Sequence, residues 1–182
     1  LILGSTTLYW KKNLGNGSFS PKQSIGGYYP DKIQIVDLDL DSMSDILYYN
    51  NSGDKIIWKK NLGNGTFQAE EELVDSLKLE NIITVDYDND GDIDIFGMEN
   101  GYLGKLVIHK NDGSNNFTKS IIYTDNDINS FNYSIVLDDL NGDNFQDIII
   151  SKYNSTNDRV FAFLNNNGTS ISSYGSVYSA GS

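Results

Sequence analysis

Asp86-Tyr87-Asp88-Asn89-Asp90-Gly91-Asp92-Ile93-Asp94 sets a carboxylate at every second residue of a short stretch, and the chain repeats that spacing elsewhere. Upstream it reads Asp37-Leu38-Asp39-Leu40-Asp41-Ser42-Met43-Ser44-Asp45, and downstream Asp139-Leu140-Asn141-Gly142-Asp143-Asn144-Phe145-Gln146-Asp147. The copies recur about every 50 residues, a period in the range of propeller blades. A second motif alternates with the first. Tyr9-Trp10-Lys11-Lys12-Asn13-Leu14-Gly15-Asn16-Gly17-Ser18-Phe19 returns as Ile57-Trp58-Lys59-Lys60-Asn61-Leu62-Gly63-Asn64-Gly65-Thr66-Phe67. Looser copies run from Ile108 through Asn111 and Gly113 to Phe117, and from Phe163 to Thr169.

Working outward, each acidic stretch lies between short runs of β-branched and aromatic residues: 33–36, 82–85 and 133–137 before it, 46–49, 93–96 and 148–150 after it. Runs so short favour strands over helices. The Trp-containing segment predicts a third strand, Asn-Leu-Gly-Asn-Gly a turn of residues that accept positive φ, and Phe19, Phe67 and Phe117 the start of a fourth. Residues 70–78 have helix-forming composition without a cap and sustained apolar stripe, so they read as a strand end plus connection. The expected fold is all-β, with propeller blades of four antiparallel strands and about three and a half repeats. The boundaries expected are 1–30 for the C-terminal part of a preceding blade, 31–80, 81–131 and 132–174 for three repeats, and 175–182 for a Ser/Gly-rich tail. Leu1-Ile2-Leu3 aligns with the strand that follows an acidic loop, and a closed propeller takes four to eight blades. The expectation is a fragment of a longer propeller, or an assembly in which other blades or domains cover the open edges.

Oxygen donors at positions 1, 3 and 5, a backbone carbonyl at 7 and a further carboxylate at 9 can wrap one hard cation. Without a cation, several carboxylates within a few ångströms repel one another. An EF-hand opens with the same spacing but needs a bidentate Glu at position 12 and flanking helices. Position 12 is Tyr48, Gly97 or Ile150 and the flanks are strands, so that reading fails. Mg²⁺ fits less well than Ca²⁺, because it keeps its waters and demands octahedral geometry. The expectation is up to three Ca²⁺. Gly91 suits the sharp turn at position 6, whereas Ser42 and Asn144 stand there in the other loops, and Asn141 removes a charge from the third. The second loop is expected to bind tightest.

Together, the acidic loops and the Trp-Lys-Lys-Asn-Leu-Gly-Asn-Gly-x-Phe units resemble the FG-GAP/VCBS repeat family, in its bacterial type rather than the integrin α-subunit version. The resemblance implies one β-propeller blade per repeat with calcium held between the first two strands. It implies as ligands Asp37, Asp39, Asp41 and Asp45, then Asp86, Asp88, Asp90 and Asp94, then Asp139, Asn141, Asp143 and Asp147. The carbonyls of Met43, Asp92 and Phe145 fall at the backbone-ligand position.

Composition narrows the function. The 182 residues include 25 acidic and 13 basic side chains, for a formal net charge of −12. That charge opposes binding to nucleic acid and to anionic membrane surfaces, and no apolar run is long enough for a membrane span. With no Cys there is neither a thiolate nucleophile nor a thiolate metal site. His109, the single His, occupies the repeat position of Lys11 and Lys59 and reads as an exposed strand residue rather than a catalyst. Trp10 and Trp58 have Ile108 and Ala162 as repeat equivalents, so blade packing explains them better than stacking on sugars. Asn16, Asn50, Asn64, Asn116, Asn132, Asn154 and Asn167 head Asn-x-Ser/Thr sequons, which matter only in a host that glycosylates secreted proteins. The expected function is a non-enzymatic, calcium-stabilised extracellular scaffold or recognition module of a secreted or surface protein, binding protein or glycan. A lectin-like or polysaccharide-processing accessory module and a ligand-free structural spacer are the alternatives.

Overall fold

The β-branched and aromatic runs form strands, and those of the middle strands are the most buried because they lie between neighbouring sheets, whereas Ile35 and Val136 of the first strands are exposed. The computed structural model describes residues 2–4, 7–26, 30–50, 54–75, 79–100, 103–125, 132–153, 159–168 and 170–179. Among these there is no helix. The first sheet comprises β1 (Ile2–Gly4), β2 (Thr7–Trp10) and β3 (Gln23–Gly26), and the second β4 (Lys32–Val36), β5 (Asp45–Asn50), β6 (Lys55–Lys59) and β7 (Glu71–Asp75). The third holds β8 (Leu79–Val85), β9 (Asp94–Asn100), β10 (Gly104–Asn111) and β11 (Phe117–Asp125), and the fourth β12 (Asn132–Asp138), β13 (Asp147–Tyr153), β14 (Arg159–Asn166) and β15 (Ser170–Ser179). Every sheet is an antiparallel meander in chain order.

Strand register places equivalent residues without ambiguity. Ile46 pairs with Lys59, Ile95 with His109 and Ile148 with Phe163. Lys59, His109 and Phe163 are therefore equivalents, followed by Lys60, Lys110 and Leu164. The expected four-strand repeats are present, with one difference. Phe19 and Phe67 make only isolated bridges, to Asn13 and Asn61, and the fourth strands start later, at Gln23 and Glu71. After Phe19 comes Pro21, whose missing N–H cannot join a ladder. Residues 71–75 of the expected strand end and connection are strand β7, while 76–78 fall outside the described residues. In the last sheet β15 runs on to Ser179, past the tail boundary at 174, by pairing with β14.

Alternation along the middle strands sends successive side chains to opposite neighbours. Ile46, Tyr48 and Ile57 meet Leu8 and Ile25 of the first sheet, whereas Leu47, Tyr49, Ile56 and Trp58 meet Leu79, Ile82, Ile95 and Val107 of the third. On the other side of the third sheet, Phe96, Met98, Leu106 and Ile108 pack on Ile135, Ile148, Ile150 and Phe163. Each fully buried side chain of this size contributes roughly 1.5–3 kcal/mol, so the seams between sheets are the core. The first strands β4, β8 and β12 lie side by side. Gln34 Nε2 donates to the Ile82 carbonyl at 2.6 Å, and Asn81 Nδ2 to the Tyr133 carbonyl at 2.9 Å. The described sheets do not close into a ring. Since β4, β8 and β12 each lead directly into an acidic loop, all three loops emerge at one end of the array.

Candidate metal centre

All three acidic loops share one hydrogen-bond skeleton. The carboxylate at position 1 accepts the N–H groups of positions 5 and 6: Asp41 and Ser42 donate to Asp37 (3.0 and 2.7 Å), Asp90 and Gly91 to Asp86 (3.1 and 3.0 Å). Asp143 and Asn144 likewise donate to Asp139, at 3.2 and 2.8 Å. The carboxylate at position 5 then accepts the N–H of position 7, from Met43 to Asp41, Asp92 to Asp90 and Phe145 to Asp143, each at 2.9 Å. Position 6 has φ of 69° at Ser42, 98° at Gly91 and 68° at Asn144, the left-handed turn expected there. Position 4 is left-handed too. Asn89 and Gly142 accept this readily, whereas Leu40, at φ 58°, is strained there and half exposed.

Position 9 ties the loop to the rest of its sheet. Asp45, Asp94 and Asp147 are completely buried. One oxygen of each accepts the N–H of position 2, from Leu38, Tyr87 or Leu140. The other accepts the backbone N–H of Asn61, Asn111 or Asn165, at 2.7, 2.8 and 2.8 Å. In the second sheet Trp58 Nε1 adds a third donor to Asp45 at 2.9 Å, so Trp58 is a core residue and offers no sugar-stacking face. The asparagines return the contact, because the Nδ2 groups of Asn61, Asn111 and Asn165 donate to the carbonyls of Ser44, Ile93 and Gln146 at position 8. Their Oδ1 atoms cap the following turn at Gly63, Gly113 and Gly168. These asparagines are absent from the expected set of site residues, although an asparagine two or three residues before the turn glycine recurs in every copy.

Two of the loops gather three carboxylates around one point. Ligand oxygens of Asp37, Asp39 and Asp45 lie within 4.8 Å of one another, and so do those of Asp86, Asp88 and Asp90. In both, the position-3 carboxylate has one buried oxygen without a hydrogen-bond partner, Oδ1 of Asp39 and Oδ1 of Asp88. A buried acceptor-only oxygen left unmatched is costly, and a cation satisfies it. The donor set is all oxygen, which suits a hard divalent ion, so the residues fit calcium. The third loop differs. Asn141 Nδ2 donates to Asp143 Oδ2 at 2.9 Å, and Asp139, Asp143 and Asp147 do not form a group as close as the other two. Of the expected ligands, the structure brings together Asp37, Asp39 and Asp45 of the first loop and Asp86, Asp88 and Asp90 of the second, with Asp41 and Asp94 outside those groups.

Electrostatics point the same way. Burial pushes the Asp94 carboxyl up to about 6, with Asp88 and Asp90 adding to the rise. Asp92 is raised by burial and then by the charges of Asp90, Asp86, Asp112 and Asp88, and Asp45 is raised by burial. Asp139 lies below its ordinary value because backbone N–H groups, Asn144 first, bond its charged form. Cations of the chain itself also enter. Lys60 Nζ bonds Asp39 and, at 3.0 Å, Asp41, while Lys110 Nζ bonds Asp88 at 3.0 Å and the Gly168 carbonyl at 2.9 Å. A Cβ on Gly168 would stand 2.4 Å from the Asp88 Cβ, so only glycine lets the fourth sheet's turn press on position 3 of the second loop.

His109 corrects the expectation of an exposed residue. It is 1 % exposed, and burial lowers its pKa to about 4. The reason lies in its strand, where Lys59 and Phe163 at the equivalent positions are also buried.

The family match can now be set beside this geometry. Residues 37–97 and 86–150 match the FG-GAP-like repeat, and residues 131–172 match the FG-GAP repeat. The chain belongs to the FG-GAP repeat family. No curated protein and no solved structure shows a significant match. Two FG-GAP-like matches overlap across residues 86–97, so the second loop closes one unit and opens the next. The FG-GAP match at the end encloses the third loop and the β14–β15 turn.

Proposed function

We infer that this chain is a calcium-stabilised β-propeller-type module of a secreted or cell-surface protein, serving as a scaffold and recognition surface rather than as an enzyme. The observation that carries the calcium reading is the pair of orphaned buried oxygens, Asp39 Oδ1 and Asp88 Oδ1, each on a member of a converging carboxylate group. Asp37, Asp39 and Asp45 would hold one ion and Asp86, Asp88 and Asp90 the other, with the Met43 and Asp92 carbonyls at the backbone-ligand position. Calcium supplies charge neutralisation there, and the chain's own residues fix the loops against their turns. The usual occurrence of FG-GAP repeats in extracellular or surface proteins supports the location, where millimolar calcium is at hand.

A protein partner is favoured over a glycan by what surrounds the loops. Leu40, Met43 and Leu140 of the acidic loops, and Leu14 and Leu62 of the Asn-Leu-Gly-Asn-Gly turns, are exposed apolar side chains at one end of the array. Of the two aromatics that could have stacked on a sugar, Trp58 is buried and Trp10 is partly buried against the core. The single His is buried as well, which supports the non-enzymatic reading.

Thermal unfolding in EDTA against millimolar calcium tests the core of this reading. Two sites with Kd near 10⁻⁴ M contribute roughly 2 kcal/mol each in a few millimolar calcium. For a chain of this length that raises the Tm by about 10 °C. Coincident melting curves would overturn it.

A further inference from the structure

Lys60 and Lys110 follow the third strand at the same register position, one residue before the asparagine that feeds position 9, yet they use their ammonium groups differently. Lys60 Nζ is bonded to two carboxylates of its own loop, Oδ2 of Asp39 and Oδ2 of Asp41. Asp41 gives its other oxygen to the Met43 N–H, so both its oxygens are engaged. It is also missing from the converging group of the first loop, which consists of Asp37, Asp39 and Asp45. In the second loop Lys110 bonds only Asp88 and spends its other bond on the Gly168 carbonyl of the neighbouring sheet. There the position-5 residue, Asp90, remains in the converging group. In the third loop the equivalent residue is Leu164, and no ammonium is supplied.

We propose that Lys60 is a resident cation of the first loop, holding Asp39 and Asp41 in the metal-free fold and competing with calcium for them, whereas Lys110 is a strut to the next sheet that leaves its loop open to the ion. This rests on the calcium reading above. An ammonium donates hydrogen bonds at about 2.7–2.9 Å, whereas calcium draws oxygens to 2.3–2.6 Å. The oxygen that Asp41 would offer an ion is the one Lys60 holds, so calcium must first displace the ammonium. Oδ1 of Asp39 and Oδ1 of Asp88 are alike without a partner, so the loops differ at position 5, where Lys60 holds Asp41 and Lys110 leaves Asp90 alone. The two loops thus differ in affinity although their Asp residues at positions 1, 3, 5 and 9 are identical.

Isothermal titration with Ca²⁺ alone, on the full chain carrying Asp88→Asn and Asp90→Asn to silence the second loop, reads the first loop. Adding Lys60→Met should tighten binding roughly three- to tenfold, the range for losing two partly exposed ion pairs. Lys60→Gln, which keeps a polar end, should give a smaller gain in the same direction. In the chain with an intact second loop, Lys110→Met should leave that loop's affinity unimproved. Unchanged or weaker calcium binding in both Lys60 variants, with their melting curves still cooperative, would overturn the proposal and leave the calcium reading intact. Absence of calcium binding by the unsubstituted chain as well as by every variant would instead overturn the calcium reading, and the proposal with it.

Discussion

The second and third acidic loops fold alike and differ in what they can hold. In both, positions 1, 5 and 9 spend their carboxylates on backbone N–H groups at matching places. At position 3 the resemblance ends. Asp88 leaves an oxygen unmatched, whereas Asn141 donates its amide to Asp143 and closes the loop on itself. The lesson is a division of labour: positions 1, 5 and 9 shape the loop, and on the proposed calcium reading position 3 decides whether a shaped loop still demands a cation.

Exchanging residues between the copies tests this division, and the largest effect is expected where the copies agree. Asp94→Ala and Asp147→Ala each strip a buried carboxylate from two backbone N–H groups. Each should cost about 3 kcal/mol or more in metal-free urea unfolding, because both donors stay buried and unpaired. A large loss at Asp94 beside a negligible one at Asp147 would break the shared-skeleton view.

Next comes His109, which stands where the fourth sheet has Phe163. Its pKa is about 4 in the fold against an ordinary 6.5, so between those values the unfolded chain binds the extra proton and stability falls as the pH is lowered. At pH 5 the loss is about 2 kcal/mol relative to neutral pH. Asp94 acts in the opposite sense in metal-free protein, since its raised pKa lets the fold take the proton first as the pH drops. The informative quantity is thus the difference between wild type and His109→Phe across pH 4–7. Parallel curves would show that the imidazole is not held neutral.

A smaller effect is expected from Asn141→Asp, which copies Asp88 into the third loop. Calcium affinity there should rise about tenfold, the kind of change that ligand charge count produces in such loops. Calorimetric titration reads it, and no gain would mean that position 3 does not decide cation demand. The smallest change is Leu40→Asn, copying Asn89. It relieves a side chain held at positive φ and should stabilise the fold by up to about 1 kcal/mol, measured by the shift in urea midpoint.

Much of this architecture was legible because its signals are periodic. The Asp spacing marks where the loops lie, and a short run such as residues 46–49 reads as a buried strand because both of its faces meet another sheet. The left-handed turn at position 6 could be read from Gly91 alone and carried to Ser42 and Asn144. What escaped depends on distances across the chain. Nothing in the Lys-Lys pair before Asn61 says that Lys60 turns into the acidic loop while Lys59 is buried, since the side taken is set by register between strands. The burial of His109 was missed for the same reason. Its equivalents are lysines, and lysine at a surface position is the usual case. The missing charge of the third loop could be read from Asn141, but not the amide's bond to Asp143, because its partner depends on rotamer.

The bonds from Asp45, Asp94 and Asp147 to the asparagines of their own turns have an evolutionary corollary. Each repeat carries both halves of its own latch, so a length of gene running from one first strand to the next encodes a unit that locks itself. Neighbours are joined mainly through apolar side chains, whose demands are of volume rather than of pairing. Copying or deleting such a unit leaves every latch whole, and a tandem array of this kind can lengthen by unequal recombination without passing through an unfolded intermediate form.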